Sequence, residues 1–190
     1  MLMKQLLRTG WIRAGVPKSE IESLADHSWA VAVYTYFFCI EENSLRLQTG
    51  RNKLNMEKAV LMALFHDFLE SEYMDLDKSL YNIADSEIID NFIKKIETSA
   101  LKMILDHVSS SIGTSLKSLF NDQDSEEYQV VKISDYIDLL HQARYYSQKH
   151  WIKKQDTLSF QNHALNKLKT LFEDYLFLKP YLTREGFLKE

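Results

Sequence analysis

The chain has 190 residues, 45% of them apolar and 26% charged, with a net charge of −4. That length buries a full core in one domain without disulfides or structural metals. The acidic balance argues against broad binding to a nucleic acid backbone, but leaves room for a small phosphorylated ligand held by one or two local cations.

Only 5 Gly and 2 Pro are present, which favours long helices over a many-stranded sheet. The lone Cys39 cannot form an internal disulfide and reads as a small core residue. The N-terminal Met1-Leu2-Met3-Lys4 lacks the long apolar stretch and cleavage site of a signal peptide. No run approaches 18 uncharged apolar residues, so no membrane span is expected. A cytoplasmic location follows as an expectation.

Arg8 to Ile21 reads as a turn-rich entry with Gly10, Gly15 and Pro17. Helical periodicity then sets in, with Ala30, Val31, Tyr34, Phe37 and Phe38 forming one apolar face. Glu41 to Asn55 is polar, contains Gly50 and reads as a loop. Met56 to Leu69 reads as a second helix. Asp75 to Asp85 is a polar connection, and helical spacing returns from Ser86 through Val108. Ser109 to Ser115, with Gly113, interrupts it. Asp124 to Tyr146 and Leu158 to Tyr175 read as further helices, and Pro180 and Gly186 fall in a less regular tail. The expected class is all-α, a bundle of about five to seven helices, with a core over about 8–146 and a helical extension over 147–190. Phe172, Tyr175, Phe177 and Tyr181 form either core or a dimer surface, core packing being favoured.

Three features carry candidate chemistry. His66-Asp67 follows the apolar run Ala59 to Phe65. A buried unpaired carboxylate is costly, and a divalent metal compensates for it. The alternative is a helix C-terminus, with the imidazole favouring the dipole and Asp67 capping the next element. If the helix continues, Glu70 shares a face with both, one turn on, where it can exchange a proton with water or a leaving oxygen. His27, in Ala25-Asp26-His27-Ser28-Trp29, is either a core histidine or a ligand. Asp135, in Lys132-Ile133-Ser134-Asp135-Tyr136, is either a ligand or a surface partner of Lys132.

A His, a His-Asp pair and a distant Asp on three helices resemble the signature of HD-domain phosphohydrolases. Arg8-Thr9-Gly10-Trp11, Glu22 to Ser28 and Lys132 to Ala143 are similar to the 5′-deoxynucleotidase and HD-domain-containing protein 2 branch, over roughly Arg8 to Tyr146. The resemblance implies an HD-domain helical bundle. It implies His27, His66, Asp67 and Asp135 as ligands of one divalent metal ion (Mn, Co, Fe, Ni, Zn or Mg). Glu70 matches the catalytic acid, and Arg8 is similar to the arginine that grips phosphate. Asp75 matches a catalytic position near the sugar, although here it follows Met74 and precedes Leu76-Asp77-Lys78, where the family usually has Gly before and an apolar-then-Thr/Pro turn after. Trp11 is a candidate for substrate contact, with packing of the entry segment as its alternative.

The expected activity is phosphate release from (deoxy)nucleoside 5′-monophosphates. A small nucleotide is the expected partner, with neither nucleic acid polymer nor membrane. The resemblance also implies a homodimer. Pyrophosphohydrolysis, phosphodiester cleavage or a non-catalytic metal-containing nucleotide-binding module are the alternatives.

Overall fold

The computed structural model describes residues 2–76, 81 and 83–189. Asp77 and Lys78, part of the segment that departs from the family pattern, lie outside the described residues. The helices are α1 (Thr9–Ala14), α2 (Leu24–Thr49), α3 (Met56–Phe65), α4 (Glu70–Tyr73), α5 (Ser86–Leu105), α6 (Ser110–Asn121), α7 (Glu126–Gln148), α8 (Lys154–Lys169) and α9 (Leu178–Arg184). Six of these have ten or more residues, which matches the bundle expected from periodicity. Among the described residues there is no strand, only an isolated bridge between Leu7 and Ser23. No helix is long and apolar enough to cross a membrane, among the described residues.

Helix α2 is the spine. It opens on a capping box, in which Ser23 Oγ accepts from Asp26 N–H and the Asp26 carboxylate accepts from Ser23 N–H. That pair satisfies two N-terminal groups and fixes where the helix starts, three residues before His27. It closes at Gly50, whose φ of 70° is the left-handed turn that glycine adopts most cheaply.

The polar stretch after Glu41 is therefore not a loop until residue 50. Glu42 and Arg46 are wholly buried and pair at 2.9 Å one turn apart. Arg46 also grips Glu126 of α7 with two bonds of 2.9 and 3.0 Å. A buried Glu–Arg pair, closed at the surface by Glu126, gives a polar sequence an interior place. Asn43 then clamps the real loop by accepting from Leu54 N–H at 2.7 Å and donating to its carbonyl at 3.1 Å.

Helix α3 packs antiparallel to α2, with α7 against both. Val31, Ala32, Met62, Ala63 and Val131 form their common seam. Alanines at the contact allow close approach of the backbones. A larger core joins Phe38, Cys39, Ile133 and Ile137 to Ala164, Leu168, Tyr175, Phe177, Leu178, Tyr181 and Leu182. The C-terminal aromatics Tyr175, Phe177 and Tyr181 thus pack inside, and residues 178–184 form a helix where an irregular tail was expected. Pro180 sits in its first turn, where the missing N–H has no intrahelical partner to lose.

Two other boundaries differ from the periodicity. Helix α1 occupies part of the entry, closed by Gly15 at φ 87°. The serines from 109 onward start a helix, because Ser109 caps α6. Gly113 lies inside that helix, where a Cβ would stand 3.1 Å from the Leu105 side chain.

Candidate metal centre

Helix α3 stops at Phe65, earlier than its apolar run suggests. The chain tightens through residues 66–69, with Phe68 N–H bonding to the Phe65 carbonyl and Glu70 N–H to that of Asp67, both at 3.1 Å. Three-residue hydrogen bonds turn the chain faster than an α-helix. His66 and Asp67 consequently face the first turn of α2 from the end of α3, and Glu70 begins the separate helix α4.

The four expected ligand residues come together here from α2, the end of α3 and the middle of α7. His27 Nε2 lies 3.3 Å from His66 Nε2, 3.5 Å from Asp67 Oδ2 and 3.4 Å from Asp135 Oδ1. His66 Nε2 is 3.2 Å from Asp67 Oδ2. Ligand atoms of His27, His66 and Asp67 all fall within 4.8 Å of one another.

Both imidazoles are oriented from behind. His66 Nδ1 lies 2.7 Å from the Ala63 carbonyl, which only accepts, so Nδ1 carries the proton. His27 Nδ1 lies 2.7 Å from Asp138 Oδ2, with both residues buried. Each ring therefore turns its Nε2 toward the centre, the atom that a metal would take once any proton on it has left.

Burial and Arg8 pull the His27 imidazole down, but its bonds to Asp135 and Asp138 outweigh them and push it up to about 10. Burial works to raise Asp67 and Asp135, yet each is held well below the usual carboxylate range. His66, Arg8 and His27 do this for Asp67, and His27, Lys132 and His66 for Asp135. Two anionic carboxylates facing two imidazole nitrogens form a donor set suited to a divalent cation.

Arg8 reaches the same cluster, with Nη1 2.9 Å from Asp67 Oδ2. Burial opposes its charge, and Asp67, Asp135, Asp75 and Glu22 together hold it cationic. Glu70 sits beside them, pushed up to about 10 first by burial and then by Asp67 and Asp75. Its Oε2 is buried with no hydrogen-bond partner among the described residues. An orphaned carboxyl oxygen next to a converged His/Asp set is what a site built around a further ligand leaves behind, and the residues fit a divalent metal.

Asp75 takes a supporting position. Its carboxylate accepts from the Thr9 backbone N–H and from Thr9 Oγ1, the latter at 3.0 Å. It thereby ties the segment that carries Arg8 to the end of α4. The preceding Met74 has φ 76°, a conformation that suits glycine and strains a side chain. The methionine thus stands where the family pattern has Gly, and the backbone there needs one.

Trp11 is not brought to the centre. It is 3% exposed, packs edge-on to Tyr146 and against Phe160, and donates Nε1–H to Glu22 Oε1 at 2.7 Å. The structure gives it the packing position of its two alternatives.

Two residues at the site were not singled out from sequence. Asp138 was readable only as a residue one turn beyond Asp135, a spacing shared by many core helices. Lys132 enters the sequence only as one alternative partner for Asp135. Burial opposes its charge, but Asp135, Tyr128 and Asp67 keep it raised, and its Nζ lies 5.4 Å from the centre of the Tyr128 ring. It adds a second cation beside the carboxylates.

Comparison with known proteins agrees with this architecture. The HD-domain family model matches residues 2–174. The chain is 24% identical over 171 residues to 4′-phosphooxetanocin A phosphatase from Priestia megaterium, covering 90% of this chain and 82% of that one. It is similar to a conserved hypothetical protein from Pyrococcus furiosus, at 30% identity and TM-score 0.71, over 96% of this chain and 94% of the other. It shares the fold of an HD-domain phosphohydrolase from Listeria innocua, at 20% identity and TM-score 0.74, over 96% and 82% of the respective chains. The chain belongs to the HD-domain family, the phosphohydrolase superfamily that its motifs resemble.

Proposed function

We propose that this protein is a metal-dependent phosphatase acting on small nucleotides, with (deoxy)nucleoside 5′-monophosphates as its substrate class. The observation that carries this reading is the convergence of His27, His66, Asp67 and Asp135 beside the orphaned Glu70 carboxyl. The Priestia megaterium relative, by its name a phosphatase, supports the phosphomonoester class.

His27 and His66 through Nε2, with the carboxylates of Asp67 and Asp135, would hold the metal. When bound there, it lowers the pKa of water and offsets charge developing on phosphoryl oxygens. Arg8 has N–H donors beyond the one engaged by Asp67, and a guanidinium fork matches phosphate geometry. Asp75 positions Arg8 by fixing Thr9. Glu70, its carboxyl buried beside the cluster, gives a proton to the ester oxygen as the P–O bond breaks. Water adds to phosphorus, and its proton returns to Glu70. Positioning and charge neutralisation supply most of the rate in such transfers.

The test is a phosphate-release screen over nucleoside mono-, di-, tri- and cyclic phosphates, with Mn, Co, Mg and Zn supplied separately. Phosphate released from monophosphates alone is the expected result. Pyrophosphate from triphosphates or opening of cyclic nucleotides would replace it with another hydrolysis. Metal and nucleotide binding without turnover would make the protein a binding module. Glu70→Gln should keep its metal and lower kcat by about 10²–10⁴-fold.

A further inference from the structure

Lys132 is a cation beside the centre to which the proposed reaction gives no task. It lies on α7 three residues before Asp135 and four after Tyr128, so the three share one face of the helix. Its Nζ stands 5.4 Å from the centre of the Tyr128 ring. That ring packs in turn against the seam of Val31, Met62, Ala63 and Val131. An ammonium resting on a packed aromatic ring is held in place before any ligand arrives.

Electrostatics decide what this cation can serve. Burial opposes its charge, and Asp135 and Asp67 are the carboxylates that keep it cationic. Among the described residues it closes an ion pair with neither of them. On α5, burial pushes the Glu97 carboxyl up while Lys132 draws it down, but those two are not paired either. Asp67 and Asp135 are also the two anionic ligands proposed for the metal. A divalent cation there balances both, which leaves Lys132 desolvated and without a counter-ion of its own. Arg8 is in the same position, since its ion pair at the cluster is with Asp67. Asp138 is engaged by His27, and Asp75 by Thr9.

Two cations therefore reach the centre, one from the entry segment and one from α7, and their carboxylate partners are shared with the metal. A phosphomonoester dianion brings two negative charges to such a site, whereas a phosphodiester brings one. Charge-assisted hydrogen bonds are about twice as strong as neutral ones, so the second charge is what the second cation rewards.

We infer that Lys132 binds the phosphoryl group together with Arg8, and that this pair of cations makes the site select phosphomonoester dianions over monoanionic phosphodiesters. The assignment rests on the phosphatase reading of the centre. Lys132 moves no proton in it; the ammonium supplies charge and N–H donors to phosphoryl oxygens.

The test compares wild type with Lys132→Met, both supplied with Mn at pH 8, by calorimetric titration with inorganic phosphate and with dimethyl phosphate. Methionine keeps an unbranched stem on the Tyr128 ring and removes the charge. The variant should bind phosphate about 10–100-fold more weakly, the range of one charged hydrogen bond. Its preference for phosphate over dimethyl phosphate should shrink by at least about threefold. Mn affinity, from competition with a chelator, should be unchanged or tighter, because a neighbouring cation is gone. Phosphate affinity within twofold of wild type, an unchanged preference, or weaker Mn binding overturns the inference, the last by making Lys132 a support of the metal ligands. A wild type that binds no phosphate overturns it as well. If Lys132→Met loses its helical circular dichroism, the wild type decides alone: phosphate should bind at least about tenfold tighter than dimethyl phosphate, and equal affinity overturns the inference. A wild type that binds phosphate through Lys132 but turns over no nucleotide removes the phosphatase reading and leaves the anion site standing.

Discussion

Asp138→Asn tests the physical core of the site, because it changes one buried atom and leaves the shape alone. Asp138 Oδ2 lies 2.7 Å from His27 Nδ1, with 1% of His27 and 5% of Asp138 exposed. The carboxylate only accepts, so it keeps a proton on Nδ1 and leaves Nε2 as the nitrogen that can give up its proton to a metal. Asparagine offers a weaker neutral acceptor, or an NH₂ group that donates to Nδ1. In the second case the ring must carry its proton on Nε2, where the metal should bind. A buried hydrogen bond to a charged group contributes about 1.5–3 kcal/mol, and about 1.4 kcal/mol is a tenfold change in affinity. The variant should therefore bind Co or Mn about 10–100-fold more weakly, measured by competition with a chelator. The metal-free variant should keep its helical circular dichroism. Metal affinity within twofold of wild type would refute the view that Asp138 sets the His27 tautomer.

Arg46→Ala should destabilise the fold by about 3–5 kcal/mol in urea unfolding, because Glu42 is left buried and without its cation. Stability of the metal-free protein should fall as pH rises from about 5 to about 7. Glu22 and Glu70 are the reason, since burial and then Asp138 push Glu22 up to about 7 from the ordinary 4.5, and burial and then Asp67 push Glu70 up to about 10. A group raised in the folded state contributes stability fully present below its unfolded pKa and lost as pH rises through the folded one. The part due to Glu22 should be on the order of 3 kcal/mol, and Glu22→Gln should make that stretch of the thermal-midpoint profile shallower, the remaining slope belonging to Glu70. Met74→Gly should raise metal-free stability by about 1 kcal/mol, since the positive φ at this position costs a side chain more than the added chain entropy. Equal or lower stability of Met74→Gly would remove strain from the account of this turn.

Fold class and most element positions are legible in the chain before any tertiary contact is known. Few breakers and a helical period give helices, and the apolar spacing around Val31, Met62 and Ile133 marks the helices that meet in the core. The candidate ligand set was legible through the resemblance of its motifs to a family, since His, His-Asp and Asp in apolar runs left bland alternatives open by themselves. Other features were not legible because they depend on groups far apart in the chain. Glu42 and Arg46 read as loop residues until α7 supplies Glu126. Glu70 was placed by a continuous helix, whereas the chain tightens after Phe65 and sets it at the start of α4. Asp138 acquires its meaning only where α7 passes behind His27. Trp11 looks identical as a stacking platform and as core until Tyr146 and Phe160 close over it. Phe37 and Phe38 are adjacent and equally apolar in sequence. Only the packing of α2 against α3 and α7 decides that Phe38 is interior and Phe37 faces outward.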